Sequence, residues 1–255
     1  MSRFRPLRAF RFAAGFPGMW PAVVVLLVTG CVSRPEPPPV PAGAPGEFTA
    51  AGRVYRDAAA RGEPVYRLDD HGSMVRILVF RTGALARLGH NHAVTGRQIR
   101  GYAWLPVNGP ARADLYLALA TLIVDEPQAR EAAGFTTGLT QEDRNGTYRN
   151  MLASLEAGHY PHVLLHVTLP MIGPMTPPIA DRDTRTADVD LTLHGMTRRL
   201  TVPVQIVTAA DGFRVTGTFR IRQTDYGIEP FSVFGGALAV RDELELNFDL
   251  GFIGY

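Results

Sequence analysis

The chain has 255 residues, 46% of them hydrophobic and 20% charged, enough for one sizeable core or at most two. It contains no Lys, which excludes Schiff-base catalysis and P-loop phosphate binding, and its single Cys leaves no partner for an internal disulfide. The formal net charge is +2, but Arg3, Arg5, Arg8 and Arg11 precede Cys31 without any acid among them and the other Arg are scattered, so a nucleic-acid partner is not expected.

Residues 1–30 read as an export signal. The four Arg form a positive n-region, and the apolar run 19–28 is too short to span a bilayer, which needs about 20 residues. Val28-Thr29-Gly30-Cys31 then looks like a bacterial lipobox, making Cys31 the candidate lipidation site and membrane anchor. Residues 31–64 follow as a tether, dense in Pro up to Gly46 and so extended and semi-rigid. Within it, 47–64 has some helical character around Ala58-Ala59-Ala60. Resemblance to lipoproteins lacking Asp after the Cys, here Val32, implies sorting to the outer membrane on the periplasmic side.

The folded domain is expected over 65–255. A first strand is predicted at 65–69 and a second at 73–81, where Val75, Ile77 and Val79 share a face. Over 97–105, Ile99, Gly101, Ala103 and Leu105 alternate with polar or aromatic residues, and 113–124 is apolar on both faces and therefore expected to be one strand covered on both sides. A helical interlude occupies 127–158, with Thr140 and Asp143 as a capping box, Met151 and Leu155 on an apolar stripe, and Gly158 placed to end the helix. Asn145-Gly146 argues against one continuous helix there.

Strands resume at 163–169. The stretch 187–207 then alternates on both sides of His194-Gly195-Met196-Thr197, the pattern of a half-buried hairpin. Phe213, Val215, Gly217, Phe219 and Ile221 share one face of the next strand, and Leu244, Leu246, Phe248 and Leu250 one face of the last. About eight strands with helices inserted mid-chain indicate an all-β fold, an antiparallel barrel or sandwich. A lipid-embedded barrel is disfavoured, because the outward positions of these strands are charged.

In order along the chain stand Tyr66-Arg67-Leu68-Asp69 with His71 and Ser73, Leu88-Gly89-His90-Asn91-His92 with Thr95-Gly96, Tyr160-Pro161-His162-Val163, Leu191-Thr192-Leu193-His194-Gly195-Met196-Thr197, and Thr224-Asp225-Tyr226-Gly227-Ile228. Taken together over 65–250, these resemble the YceI-like family of lipocalin-like, polyisoprenoid-binding periplasmic proteins, although the family's usual Arg-Asp-x-His-Leu run is not intact in the helical interlude. The resemblance implies an extended antiparallel eight-stranded barrel holding a long isoprenoid or quinone-like lipid. The ligand-lining residues would then be Val75, Ile77, Val79, Leu115, Leu117, Leu119, Met151, Leu155, Phe213, Val215, Phe219, Ile221, Leu246 and Phe248. A homodimer is a further candidate assembly.

His90 and His92 have metal-ligand spacing if the segment is extended, and His71, His162, His166 and His194 could add ligands. A cupin-like metalloenzyme is therefore the alternative reading. Only two ligands are placed by the sequence, however, so a cavity-mouth role for the pair is favoured over a metal centre. Asp69 and His71 could orient one another, Asp225 and Glu229 suit a turn or rim, and Phe231 and Phe234 suit a core or a lid. No catalytic residue is assigned, and an enzyme is not expected.

Overall fold

A computed structural model describes residues 44–170, 183–209 and 211–255. The expected signal segment, Cys31 and most of the 170–186 loop lie outside the described residues. Fourteen strands occur among the described residues: β1 (Val65–Leu68), β2 (Met74–Val79), β3 (Arg81–Thr82), β4 (His92–Gly96), β5 (Ile99–Trp104), β6 (Ala111–Ala118), β7 (Ile123–Val124), β8 (His162–Leu169), β9 (Asp183–Leu193), β10 (Met196–Ala209), β11 (Gly212–Arg222), β12 (Ser232–Val233), β13 (Leu238–Val240) and β14 (Glu243–Gly254). The α-helices are α1 (Gly46–Ala60), α2 (Pro127–Ala132) and α3 (Gln141–Ser154).

Strands β1, β5, β6, β8, β9, β10, β11 and β14 pair antiparallel in that order, and β14 returns to β1, closing an eight-stranded barrel. Strand β14 makes the closure: Leu68 faces Phe252 across the seam, and five residues earlier on β14 Asn247 faces Arg76 of β2. Strands β2, β4 and β7 extend the same sheet beyond β14, while β12, β13 and β3 form a small separate sheet. Closure removes the unpaired edges that an open sheet would present.

The alternating faces settle the orientation of the wall. Inward residues of β5, β6, β9, β10, β11 and β14 are apolar, and outward residues pair across strands in water, as in Arg199 to Asp190 at 2.7 Å and Arg220 to Glu245 at 3.0 Å. Such exposed pairs add little stability each, but they keep the outer face solvated. Gly217 belongs to the inward set for a steric reason: a Cβ there would lie 2.5 Å from Phe248 Cζ.

Several local expectations need correcting. The run 113–124 is not one strand, because β6 ends at Ala118 and a 3-10 turn, Leu119–Thr121, turns the chain before β7. Both faces of β6 are nevertheless covered, by the barrel interior and by α1, whose Phe48 meets Tyr116 at 4.4 Å. Helix α1 lies in the stretch assigned to the tether, with Tyr55 and Ala58 buried and Tyr55 Oη donating to Asp114 Oδ2 at 2.6 Å. Burial, and then the Asp114 carboxylate, push the Tyr55 phenol well above its ordinary value.

Helix α3 runs unbroken through Asn145-Gly146, with its start fixed by the Thr140–Asp143 capping box, which forms in full. Its end is not made by Gly158; Glu156 takes the left-handed conformation at φ 45 instead. The hairpin break narrows to the two residues His194-Gly195, both at positive φ, leaving Met196 and Thr197 in β10. The final strand is longer than the alternation over 243–250 suggests, because its last residues pair with β1.

Candidate functional site: an apolar cavity with one polar end

The barrel encloses a cavity of about 360 Å3. All the residues named above as ligand-lining border it, from Val75 on β2 to Phe248 on β14, with Met151 and Leu155 contributed by α3. Val202, Val204, Ile206 and Leu191 of the hairpin join them, as do Phe231 and Val240 from the chain around the small sheet. Phe234, by contrast, is 75% exposed.

The two ends of the cavity differ. Where β11 begins and β14 ends, Phe213 stacks on Phe252 with ring centroids 4.8 Å apart, and Tyr66 meets Phe213 edge-on at 5.0 Å. Offset or edge-on aromatic pairs of this kind pack densely and add about 0.5–1.5 kcal/mol beyond their buried area. Where β4 begins and β11 ends, the lining becomes polar: His92, Gln223, Thr147, Asn150 and Ser154.

His92 and His90 do not act as a pair. Strand β4 starts at His92, so the two-residue repeat does not reach back to His90, which is absent from the cavity lining and whose Nδ1 is buried without a hydrogen bond among the described residues. The preceding Asn91 is held from both sides, its Oδ1 accepting from the Arg81 amide at 3.1 Å and its carbonyl from Arg130 Nη1 at 2.8 Å.

His92 itself meets Asp125, Nδ1 to Oδ2 at 2.6 Å. Asp125 is completely buried, and its Oδ1 accepts from the Ala93 amide at 3.0 Å and from Arg130 Nη1 at 2.8 Å. Burial alone would raise the Asp125 carboxyl, but the bonds from His92, Ala93 and Arg130 outweigh it and hold the group below its ordinary value. Arg130, also buried, donates Nη2 to Thr137 O at 2.7 Å and lies over the Phe135 ring. This buried ion pair beside the cavity had no place in the sequence reading.

The other histidines lie elsewhere. His166 pairs with Asp114 on the outer wall, His162 packs edge-on against Tyr116, and His194 Nδ1 lies 3.0 Å from the Tyr226 carbonyl. His194 Nε2 is 3.5 Å from Glu156 Oε1, an ion-pair distance without hydrogen-bond geometry. Asp69 engages the backbone amide of His71 and not its ring. Asp225 belongs to a 3-10 turn, Gln223–Tyr226, that ends at left-handed Gly227. Tyr226 is 1% exposed, and burial followed by the Asp225 charge pushes its phenol up to about 12. Among the described residues no group of three or more His, Cys, Asp or Glu is gathered as a metal site would need, and no helix is long and apolar enough to cross a membrane.

The family model of the YceI-like domain matches residues 120–252, from the 3-10 turn after β6 into the barrel-closing strand β14. The chain belongs to the YceI-like family. Its barrel is similar to a polyisoprenoid-binding domain from Saccharophagus degradans, at 14% identity and a TM-score of 0.50 over 76% of this chain and 100% of that one. It also matches Burkholderia cenocepacia BcnA at 15% identity and a TM-score of 0.46, over 72% of this chain and 98% of that one. No curated protein matches the chain.

Proposed function

We propose that the YceI-like barrel binds a long apolar lipid, isoprenoid- or quinone-like, along its interior, for carriage or sequestration in the bacterial periplasm. The observation that carries this reading is the cavity itself, which runs from the Phe213–Phe252 stack to α3 and is lined by apolar residues apart from Arg112 and the polar end. An eight-stranded barrel either fills its interior with side chains or holds one ligand, and here space remains. Each CH2 transferred from water contributes about 0.8 kcal/mol, so a polyprenyl tail supplies affinity without polar contacts. The description of the S. degradans domain as polyisoprenoid-binding supports the same ligand class. Lipidation at Cys31 would tether the protein at the envelope, with the outer membrane the expected site.

Two measurements test the proposal. Mass spectrometry of organic extracts of the protein purified from its native envelope should identify an isoprenoid or quinone, and Val215→Trp or Leu117→Trp should lower its occupancy while sparing stability. Protein that carries no such lipid and takes up neither added quinones nor polyprenyl lipids would overturn the reading. For the anchor, Cys31→Ser should abolish palmitate labelling and release the protein from membranes; unchanged labelling would sink that part alone.

A further inference from the structure

We propose that the lobe formed by residues 81–91 and 230–241 docks the polar end of the barrel on an anionic bilayer. Phe234 and Leu88 enter the membrane, and Arg87 and Arg241 meet the head groups. Docking of this kind stands whether or not the barrel carries lipid; where it does, the cavity is presented end-on to the source of its cargo.

Strands β12 and β13 form a hairpin whose base belongs to the barrel and whose tip does not. At the base Phe231 and Val240 border the cavity, and the Arg241 carbonyl accepts from Gln223 Nε2 at 2.8 Å. At the tip Phe234, Gly235 and Gly236 follow one another at φ 53, 64 and 87. A Phe in the left-handed region is unfavourable, and strain of this kind concentrates where function requires it. Its ring gains no burial in return, being 75% exposed. The turn after β3 is fastened to this tip: the Leu85 amide donates to the Ala237 carbonyl at 2.7 Å, and a Cβ on Gly83 would lie 2.4 Å from the same oxygen. Gly89 lies against Leu238, and Leu88 before it is 61% exposed. Single exposed apolar side chains are ordinary on a protein surface. Two on one small lobe, one of them on strained backbone, mark an interaction site.

Charge selects the partner. Over 44–255 acids outnumber Arg, yet the lobe holds Arg81, Arg87 and Arg241 and no acid. Arg81 braces the lobe by donating to the Gly89 carbonyl, whereas Arg87 and Arg241 are exposed. On the wall Arg199 and Arg220 are matched by acids across the strands; Arg87 and Arg241 have no ion pair among the described residues. Of the acids bordering the lobe, Asp242 accepts from the Thr224 amide at 2.9 Å and hydroxyl at 2.7 Å. Asp143 of α3, whose carboxylate interacts with His90, is held in the capping box, which leaves Glu229 exposed at the edge. A second copy of the lobe would set Arg against Arg, while an anionic lipid surface attracts each cation held near it.

The path of the chain agrees. Helix α1 begins with Phe48 against Tyr116, near the polar end of β6, and finishes at Ala60 before β1, whose Tyr66 belongs to the aromatic end. The chain preceding Gly46, with the expected anchor at Cys31, thus meets the domain on the lobe's half of the barrel.

The test uses the full chain with Cys31→Ser, so that no acyl chain is attached, and Phe234→Cys to carry an environment-sensitive fluorophore. Vesicles of equal parts phosphatidylglycerol and phosphatidylcholine should shift its emission to the blue and raise its intensity severalfold. Phosphatidylcholine alone should need roughly tenfold more lipid, and Arg87→Gln and Arg241→Gln should each weaken the response roughly fivefold. The same label on Val107→Cys, an exposed position between β5 and β6 at the aromatic end, should not respond. Hydrogen exchange on the Cys31→Ser chain leaves the lobe unaltered, and vesicles should slow it at 84–88 and 234–237. A silent label at 234, an equal response at 107, unchanged exchange, or no preference for anionic vesicles would each overturn the proposal. So would a response that grows with protein concentration in the absence of lipid, which would make the lobe a contact between copies. None of these outcomes bears on the barrel's cargo, which is read separately by mass spectrometry of the extracted lipid.

Discussion

The two ends of the barrel are built on opposite principles. One is closed by interlocked aromatic rings, Tyr66, Phe213 and Phe252, that need nothing but burial and shape. The other is organised around a fully buried carboxylate that holds only because His92, Ala93 and Arg130 all serve it. The aromatic end tolerates loss of a contact in proportion to the area lost. The polar end does not, because removing one partner leaves a charge in a place water cannot reach. A cavity with such ends has a direction, with tail and head distinguished before any ligand arrives.

The largest effect is expected from breaking the polar end. Arg130→Met strands Asp125 and should cost about 3–5 kcal/mol in urea unfolding at neutral pH. The same pair sets the acid response. The folded-state pKa of Asp125 lies below its ordinary 3.8, so its stabilising contribution is complete above that value and is lost as the pH falls through the lower folded one. Asp125→Asn should flatten this acid limb of the stability curve, measured from pH 6 down to about 2.

Breaking the aromatic end should cost less. Phe252→Ala is expected to lose roughly 3 kcal/mol, at the low end for Phe truncation because a cavity already borders the site, and to leave the acid limb of the stability curve unchanged. Equal disturbance of the acid limb by Phe252→Ala and Asp125→Asn would erase the distinction between the ends. Between them, Gly217→Ala puts a methyl 2.5 Å from Phe248 Cζ and 2.8 Å from the Pro203 carbonyl. About 1–3 kcal/mol of overpacking should follow, with reduced tail capacity as the Phe248 ring is driven into the cavity. Smallest is Thr140→Ala, which removes the capping box of α3 for about 1 kcal/mol and should appear as faster amide exchange in that helix and not at the aromatic stack.

How much of this was legible follows from the range of each interaction. The lining of the wall could be read residue by residue, because period-two alternation is local and a strand with one charged face has one orientation available. Gly217 fitted the alternation although only the structure explains why it must be small. The capping box was equally local. Asp125 and Arg130 were not legible, because nothing in the local pattern distinguishes a charge that will be buried from one that will be solvated. They are buried because β7 pairs with β4, bringing Asp125 to Ala93 thirty-two positions away, and α2 then packs against β4 and carries Arg130 in beside it. His90 was misread for a related reason, since pairing it with His92 assumed an extended segment that begins only at His92. Glu156 in a left-handed turn, where Gly158 looked the natural choice, is a tertiary override of local preference.

The seam between β1 and β14 also fixes a timetable. Tyr66 finds its partner Gly254 only after the whole of the intervening chain has been made, and β2 waits on the same strand. Contacts of such long sequence separation form late and slowly, since the loop entropy is spent before they return anything. Until then the staves from β5 to β11 expose their greasy inner surfaces as an open, curved sheet, the kind of intermediate that invites aggregation or a chaperone. The closed cavity comes into being only at the last step of folding. Cargo is thus either swallowed at closure or admitted afterwards through an end, and a pulse of labelled lipid given during refolding, compared with one given after it, would tell the two histories apart.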